Sequence, residues 1–317
     1  MSKRALIIGV GGQDGSYLAD ILLERGYEVY GLYRHSSVDN LRRVAHCRDR
    51  LTLLEGDVTD IASIRAALLE AEPGEVYHVA DQDNVDWSFK TPKLAVDVTY
   101  GGAVNVLQAV LNVDDMIRVF LPVSATMFGM APAPQTEETP LAPTSPYACA
   151  KAAAFLHARY MREVHGVRVS CGIMYNHDSP RRGSQYLLQK VCAAAKDYAA
   201  DKIARMPFGG LDAKVDVGHA RSYMVAAVNM LQPSLVATDL IISSGNAYTL
   251  RQLCYTALMA CGVRNIHDEM FEGKPWTRPG GTPTLIGDCT KARQVIGLIH
   301  CFQLDELVKQ IVEGSDA

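Results

Sequence analysis

The chain has 317 residues and a formal net charge of -4, with a pI near 6.1, a balance that favours neither nucleic acid nor a membrane as a partner. Its eight cysteines form no C-x-x-C pair, so we expect neither a disulfide framework nor a bound metal. The apolar run Ala5–Val10 is too short for a signal peptide, and we expect a cytoplasmic protein.

Strands alternate with helices through the first half of the chain. Short apolar runs are followed by longer segments in which apolar residues recur at helical spacing. This alternation is typical of a parallel sheet covered on both faces, so the sequence predicts an α/β fold with a Rossmann-type, doubly wound sheet. The predicted strands are Ala5–Gly9, Glu28–Leu32, Leu51–Glu55, Glu75–Ala80, Arg118–Val123 and Val167–Met174, and the predicted helices are Gly15–Arg25, Ile61–Glu72, Pro92–Leu111 and Pro146–Val164.

The alternation weakens after Asn176, where turn-rich segments lie at 179–184, 208–212 and 274–283. These turns predict a smaller C-terminal lobe that binds substrate. A helix at His219–Leu231 and a strand at Leu240–Ser243 are expected to return to the first sheet. We therefore predict a dinucleotide-binding domain over residues 1–178, joined by 219–245, and a lobe over residues 179–317 that mainly binds substrate.

Three glycines spaced three apart, Gly9, Gly12 and Gly15, follow the first predicted strand and open the first predicted helix. In this context the first glycine permits a tight turn, the second lets the backbone approach a pyrophosphate, and the third allows close helix packing. The helix N-terminus then faces the phosphates. Gln13 and Asp14 lie in the same turn and are included in the expected cofactor site; a glycine-rich turn without a ligand is the alternative.

The end of the second predicted strand indicates which dinucleotide binds. An acidic residue there would bind the ribose of NAD, but the chain has Arg34, Ser36 and Ser37. A cation and two hydroxyls suit a ribose phosphate, so the sequence favours NADP, unless Arg34 is merely solvated. Asp57 is placed to contact adenine or, equally, to cap the next turn. Val58 and Ala80 complete the expected cofactor contacts in these loops.

Tyr147 and Lys151 are four residues apart and share one face of a predicted helix. A lysine ammonium beside a tyrosine phenol favours the ionised phenol and makes it a usable base near neutral pH. Ser145 and Pro146 place the tyrosine in the first helical turn. Ser124, at the end of a predicted strand, is expected to share the same substrate hydroxyl. This pattern predicts hydride transfer from an alcohol, although a surface helix pair would have the same spacing.

Seven short stretches carry a family resemblance: Gly11–Leu18, Arg34–Ser37, Ser145–Ala148, Asn176–Gly183, Gly218–Ala220, Gly287–Asp288 and Lys291–Ala292. With these stretches the chain, along nearly its whole length, resembles the extended short-chain dehydrogenases/reductases, and among them the GDP-mannose 4,6-dehydratase family. The resemblance implies that Tyr147 removes a proton from the carbon 4 hydroxyl of a nucleotide-linked hexose while hydride moves to NADP. It also implies a homodimer or homotetramer built on the helices at Pro92–Leu111 and Pro146–Val164.

The resemblance also implies roles for residues outside the glycine turn. His177 and Arg182 would hold the cofactor, whereas Arg181 and Arg182 are phosphate candidates or ion-pair partners. The implied substrate contacts are Asp83, Asn176, Lys190 and Arg278.

The catalytic segment departs from that family at one position. The dehydratases carry a glutamate two residues after the hydroxyl residue, where this chain has Ser124, Ala125 and Thr126. A threonine cannot supply that carboxylate, and Thr126 instead gives a segment similar to that of the UDP-galactose 4-epimerases. Asp81, Asp83 and Asp86 are candidates for a relocated acid, each of which could instead be solvated or capping.

Three departures concern the nucleotide. The family's arginine and tryptophan on either side of Asp216 are Val215 and Val217 here, and a family glutamate is Gly281. Guanosine and mannose are therefore open. The leading hypothesis is an epimerase, or an oxidoreductase with internal hydride return. The alternatives are a 4,6-dehydratase with a relocated acid and a noncatalytic nucleotide-binding relative.

Overall fold

The computed structural model describes residues 3–275, 279, 281, 284–297 and 303–315. Seven parallel strands form the main sheet in the order β3-β2-β1-β4-β5-β6-β9. This confirms the predicted α/β fold with a doubly wound parallel sheet. The strands are β1 (Arg4–Ile8), β2 (Glu28–Tyr33), β3 (Leu51–Glu55), β4 (Glu75–His78), β5 (Arg118–Ser124), β6 (Arg168–Met174), β7 (Asn176–Asp178), β8 (Lys214–His219), β9 (Asp239–Ile242) and β10 (Ala247–Thr249).

Helices connect the strands and cover both faces of the sheet. They are α1 (Gln13–Glu24), α2 (Ile61–Ala71), α3 (Val85–Lys90), α4 (Pro92–Ala95), α5 (Gly102–Val113), α6 (Pro146–His165), α7 (Leu187–Ala199), α8 (Ala220–Met230), α9 (Leu250–Ala260), α10 (Thr290–Ile296) and α11 (Leu304–Glu313). Short 3₁₀ segments lie at Arg42–Arg50, Ala125–Phe128 and Asp268–Met270, and a π turn at Val96–Gly101 joins α4 to α5.

The main core is built from the strands and the helix faces turned toward them. Residues 5–8 of β1 are buried at every position, as expected for a parallel strand covered on both faces. The segment Pro92–Val113 is, among the described residues, the one helix long and apolar enough to cross a membrane by length and composition. It packs on α2 and α6 as a core helix.

The second half of the chain is more regular than its sequence predicts. Strand β9 pairs with β6 and adds an edge to the main sheet. A small sheet, β10-β8-β7, packs with α7, α9 and α11 around a separate apolar cluster. Buried residues of that cluster include Leu188, Val191, Leu253, Leu258 and Leu307. Strand β9 corresponds to the predicted strand Leu240–Ser243. The sequence prediction missed the strands of the small sheet because they have three to six residues and turns interrupt the periodic pattern.

Candidate functional site

The glycine turn joins β1 to α1 at the carboxyl edge of the main sheet. Gly9 has φ +97°, and a Cβ on it would lie 2.7 Å from the backbone nitrogen of Ala80. A Cβ on Gly15 would lie 2.2 Å from the carbonyl oxygen of Gly9. Gly12 is the N-cap of α1. The backbone therefore requires glycine for the close packing at Gly9 and Gly15, and α1 begins with amides directed toward the carboxyl edge of the sheet.

The loop after β2 lies over this turn. A Cβ on Gly11 would lie 2.0 Å from the carbonyl oxygen of Asn40. The Arg43 guanidinium donates to the carbonyl of Gly11 at 3.2 Å and to the carbonyl of Arg181 at 2.6 Å. Arg43 therefore ties the glycine turn to the loop after β7. Sequence reasoning missed Arg43, because it is one of two adjacent arginines in a segment with no assigned motif.

Arg34, Ser36 and Ser37 follow the last residue of β2. Arg34 and Ser37 are exposed and Ser36 is half-buried, so this end of the cleft faces solvent. Asp57 follows β3, where its Oδ1 accepts from the backbone nitrogen and hydroxyl of Thr59 at 2.9 and 2.8 Å. The carboxylate thus has the turn-capping role that was the alternative to an adenine contact. Val58 is buried below it.

The hydroxyl residues and the tyrosine meet where β5 ends and α6 begins. The Thr126 hydroxyl donates to Ser124 Oγ at 2.9 Å, and the Thr126 backbone nitrogen lies 3.3 Å from the same oxygen. Ser145 caps α6, because its Oγ accepts from the backbone nitrogen of Ala148 at 3.1 Å. Tyr147 therefore lies in the first helical turn, as predicted, and its backbone nitrogen donates to Ser88.

Lys151 has a carboxylate partner that the sequence did not indicate. Its Nζ lies 2.7 Å from Asp81 Oδ2 and donates to the carbonyl of Pro122 at 2.7 Å. Burial, Asp81 and Asp83 together raise the pKa of Tyr147 well above its usual value, and the contact with Ser124 opposes them only in part. The Lys151 ammonium lies beside the phenol, 5.8 Å from the centre of the Tyr147 ring, but Asp81 offsets its charge. That Lys151 favours the ionised phenol therefore stays a prediction.

His177 and Asp14 form an ion pair between β7 and α1. Nε2 of His177 lies 3.0 Å from Asp14 Oδ2, and its Nδ1 lies 2.8 Å from the carbonyl of Tyr175. The pair raises the pKa of His177 against the effect of burial, and it lowers the pKa of Asp14 although burial acts in the opposite direction. Gln13 is linked to the end of this strand, because it accepts a hydrogen bond from Ser179 at 2.9 Å. These predicted cofactor residues therefore lie together, already tied to one another.

Two arginines after β7 are held in ion pairs. Arg181 lies 2.8 Å from Asp20 and stacks on Tyr17 at 4.1 Å from the ring centroid. Arg182 lies 3.1 Å from Asp83 and stacks on Tyr186 at 3.6 Å. The Tyr186 hydroxyl also donates to Asp83. Of the two sequence alternatives for these arginines, the structure has the ion pairs, and Asp83, predicted to bind substrate, is a partner in one of them.

The remaining predicted substrate residues are more scattered. Asn176 is exposed, and its Nδ2 donates to the carbonyl of Asp216 at 3.3 Å. Lys190 is exposed on the first turn of α7. Arg278 lies outside the described residues. The structure therefore brings Asn176 next to β8.

Asp20, His46 and Cys47 form one group of potential metal ligands among the described residues. Asp20 lies 2.7 Å from His46 Nε2 and 2.8 Å from Arg181. The guanidinium of Arg181 thus already occupies one oxygen of that carboxylate, which disfavours a cation there. The seven cysteines described, a set that excludes Cys301, are free thiols.

Together these residues form a cleft along the carboxyl edge of a doubly wound sheet, which is where such folds bind ligands. The family model described as GDP-mannose 4,6 dehydratase matches residues 6–311. The UDP-glucose 4-epimerase of Thermotoga maritima with UDP-glucose superposes with a TM-score of 0.85 at 22% identity, covering 98% of this chain and 97% of that one, so it shows the same fold.

Two relatives are similar in sequence over most of this chain. GDP-mannose 4,6-dehydratase sdnI of Sordaria araneosa is 36% identical over 329 residues, covering 98% of this chain, which spans only 60% of that longer protein. GDP-mannose 4,6 dehydratase 1 of Arabidopsis thaliana is 35% identical over 323 residues, covering 98% of this chain and 89% of the relative. The protein thus belongs to the GDP-mannose 4,6-dehydratase family, a group of nucleotide-sugar enzymes of the short-chain dehydrogenase/reductase type.

Proposed function

We propose that this protein oxidises the carbon 4 hydroxyl of a nucleotide-linked hexose with NADP and then returns the hydride to the sugar without eliminating water. The observation that carries the proposal is the neutral hydroxyl of Thr126, which donates to Ser124 Oγ at the position where the dehydratases carry a glutamate. The described residues that line the small cavity beside Thr126 carry no carboxylate. They are Val85, Phe89, Thr126, Thr144, Ser145, Pro279 and Gly281.

The hydroxyl groups suit a proton transfer at one substrate oxygen. Ser124 Oγ accepts a hydrogen bond from Thr126, so its own proton is available to a substrate hydroxyl or to the phenol. Tyr147 then takes the proton of the carbon 4 hydroxyl as the base. On hydride return the same tyrosine gives the proton back, so the cycle needs no second acid.

The residues around the glycine turn fit a dinucleotide, which would accept the hydride. The strongest sign is the absence of space for a Cβ at Gly9 and Gly15. A side chain at Gly9 would push the turn away from Ala80, and one at Gly15 would push α1 away from the turn. The amides at the start of α1 suit a pyrophosphate. Arg34, Ser36 and Ser37 follow β2, with Arg34 and Ser37 exposed and Ser36 half-buried. They support NADP over NAD because they offer a cation and hydroxyls to a ribose phosphate.

A GDP-hexose is the substrate class that the family favours. Most of the chain aligns with GDP-mannose 4,6-dehydratases at 35–36% identity in the two relatives described. Val215 and Val217 flank the buried Asp216, where relatives of the family would present an arginine and a tryptophan. A phosphate contact is thereby lost, so we expect weaker binding of the nucleotide.

The test is to incubate the purified protein and NADP with GDP-, UDP-, CDP- and dTDP-hexoses and to follow product mass. We expect one of these sugars to be converted without a change in mass. A product lighter by one water would overturn the proposal. Deuterium incorporated at carbon 5 from solvent would also contradict a simple carbon 4 epimerase.

Thr126→Glu sharpens the same test, because it restores a carboxylate at the position where the dehydratases carry one. We expect this variant to form some product lighter by one water, whereas the matched Thr126→Gln variant, of the same shape but without the charge, should not. If both variants behave alike, the missing carboxylate does not decide the reaction.

A 4,6-dehydratase with a relocated acid is the second candidate, favoured by the names of the sequence relatives. Its acid would have to be Asp81, Asp83 or Asp86. Asp81 is paired with Lys151 and Asp83 with Arg182, so using either in catalysis would break an ion pair. Asp86 lies in the first turn of α3 and is exposed. These contacts support the epimerase or oxidoreductase proposal over this one.

We also infer a cytoplasmic homodimer or homotetramer. The supporting observation is a set of exposed apolar side chains on α6, with Leu156, Tyr160 and Val164 at 56%, 48% and 65% exposure. Their spacing of four residues places them on one helix face. Light scattering coupled to gel filtration should give twice or four times the mass of one chain. A monomer at micromolar concentration would contradict the inference.

A further inference from the structure

The loop that follows β4 brings a carboxylate into the catalytic end of the cleft. Asp81 uses both of its oxygens. Oδ2 lies 2.7 Å from Lys151 Nζ, while Oδ1 accepts from the hydroxyl of Thr99 at 2.5 Å and from the backbone nitrogen of Gln82 at 2.8 Å. Thr99 lies in the π turn between α4 and α5. Asp81 is therefore held from three directions, and its position is fixed by the fold.

This contact sets the position of the Lys151 ammonium. The Asp81 and Lys151 side chains are only 12% and 8% exposed, so water competes little for their charges. An ammonium has three N–H donors, of which one points to Asp81 and one to the carbonyl of Pro122. One donor is left for the cleft, where Nζ lies 5.8 Å from the centre of the Tyr147 ring.

We propose that Asp81 is a positioning residue, which fixes the Lys151 ammonium and offsets its charge beside Tyr147. The role rests on the proposed oxidation at Tyr147. The carboxylate does not touch the reacting oxygen; it acts through the lysine. Because the pair as a whole is neutral, Lys151 serves as an oriented hydrogen-bond donor more than as a source of positive potential.

The electrostatic surroundings of Tyr147 agree with this role. After burial, Asp81 and then Asp83 contribute most to raising the pKa of the phenol, while Ser124 and Arg182 lower it. His78, at the end of β4, has a pKa lowered to about 4 by burial and by Lys151, so it is neutral at neutral pH. Removing the Asp81 charge should therefore lower the pKa of the base, because a negative charge close to the phenolate is lost.

Two variants separate positioning from charge. In Asp81→Ala the ammonium loses its anchor, and a crystal structure of the ligand-free protein should show Lys151 Nζ displaced by more than about 1 Å. If Asp81→Ala does not fold, Asp81→Leu serves for the same measurement. An unmoved ammonium would overturn the proposal. This measurement needs no turnover, so it decides the positioning role even if the proposed reaction is wrong.

Asp81→Asn keeps the shape but removes the charge. We expect the acid limb of kcat/KM against pH to move down by about one pH unit, with Asp81→Glu returning it toward the wild-type value. Asp115→Asn, an exposed change just before the amino end of β5, is the matched control and should leave the profile unchanged. An acid limb that stays in place in Asp81→Asn would overturn the charge-offsetting role. Wild-type protein without turnover on any sugar would instead contradict the proposed function.

Discussion

The two ends of the cofactor cleft differ in burial. At the catalytic end Tyr147 and Lys151 are 7% and 6% exposed and are surrounded by β4, β5 and α6. At the other end Arg34 and Ser37 are exposed after β2. At the buried end, charges lie close together in a medium of low dielectric and interact strongly, whereas charges at the exposed end are screened by water and salt. Substitutions should therefore change chemistry and stability at the first end, and only ligand preference at the second.

Tyr147→Phe tests this contrast with the largest expected effect. The proposed base loses its only proton-accepting atom, so we expect kcat to fall by about a hundredfold to ten-thousandfold. Binding of NADP, followed by fluorescence quenching, should change little. Tyr198→Phe, in α7 of the second lobe, removes a hydroxyl away from the cleft and should leave kcat unchanged. If Tyr147→Phe retains wild-type activity, the catalytic end of the cleft has been assigned incorrectly.

Gly15→Ala tests the glycine turn, which lies between the two ends. The new Cβ would lie 2.2 Å from the carbonyl oxygen of Gly9 and 2.7 Å from the Cα of Val10, so the backbone must shift. We expect a loss of about 2–3 kcal/mol in the free energy of unfolding, together with weaker binding of NADP. Gly74→Ala is the control, since its Cβ would meet nothing nearer than the carbonyl of Arg4 at 4.0 Å. Equal destabilisation of both variants would show that packing at Gly15 is not special.

The first half of the fold was predictable because each element carries its own signal. The predicted strand Leu51–Glu55 is exact, and Glu75–Ala80 overruns β4 by two residues, because the apolar run continues into the loop. Ser145 and Pro146 marked the start of α6 correctly. These are local signals of capping and periodicity, which a sequence displays directly.

The contacts that set the chemistry were not predictable in this way. Asp81 and Lys151 are 70 positions apart in the sequence, and nothing local indicates that the fold joins them. The sequence therefore suggested a lysine that favours the phenolate, whereas the carboxylate offsets it. Likewise, Arg182 offers a cation to either a phosphate or Asp83, and only the tertiary structure distinguishes these partners.

The Asp14–His177 pair gives a pH test on the partly buried side of the glycine turn. The folded state raises the pKa of His177 and lowers that of Asp14. The histidine contribution to stability is complete below its unfolded pKa, about 6.5, and is lost as pH rises through the folded value. The aspartate contribution is present above its unfolded pKa, about 3.9, and is lost as pH falls through the folded value.

Asp14→Asn should therefore cost most between about pH 4 and 6.5, by roughly 1–2 kcal/mol, and less at pH 9. Urea denaturation at each pH measures the difference from wild type. His177→Asn and the double variant complete a cycle that isolates the pair. A cost that does not vary with pH would mean that the two side chains contribute by packing and not by charge.

Arg34→Ala should give the smallest effect and tests the exposed end. If the guanidinium contacts a ribose phosphate, the Kd for NADP should rise about tenfold, which corresponds to one charge-assisted hydrogen bond in solvent. The Kd for NAD should change much less, because NAD has no phosphate at that ribose. Arg48→Ala, also exposed in the segment Arg42–Arg50, controls for loss of a surface cation. Titration calorimetry at two salt concentrations measures the Kd of both ligands. An equal rise in the Kd for NADP and for NAD would contradict the ribose-phosphate contact, and with it the sequence argument for NADP.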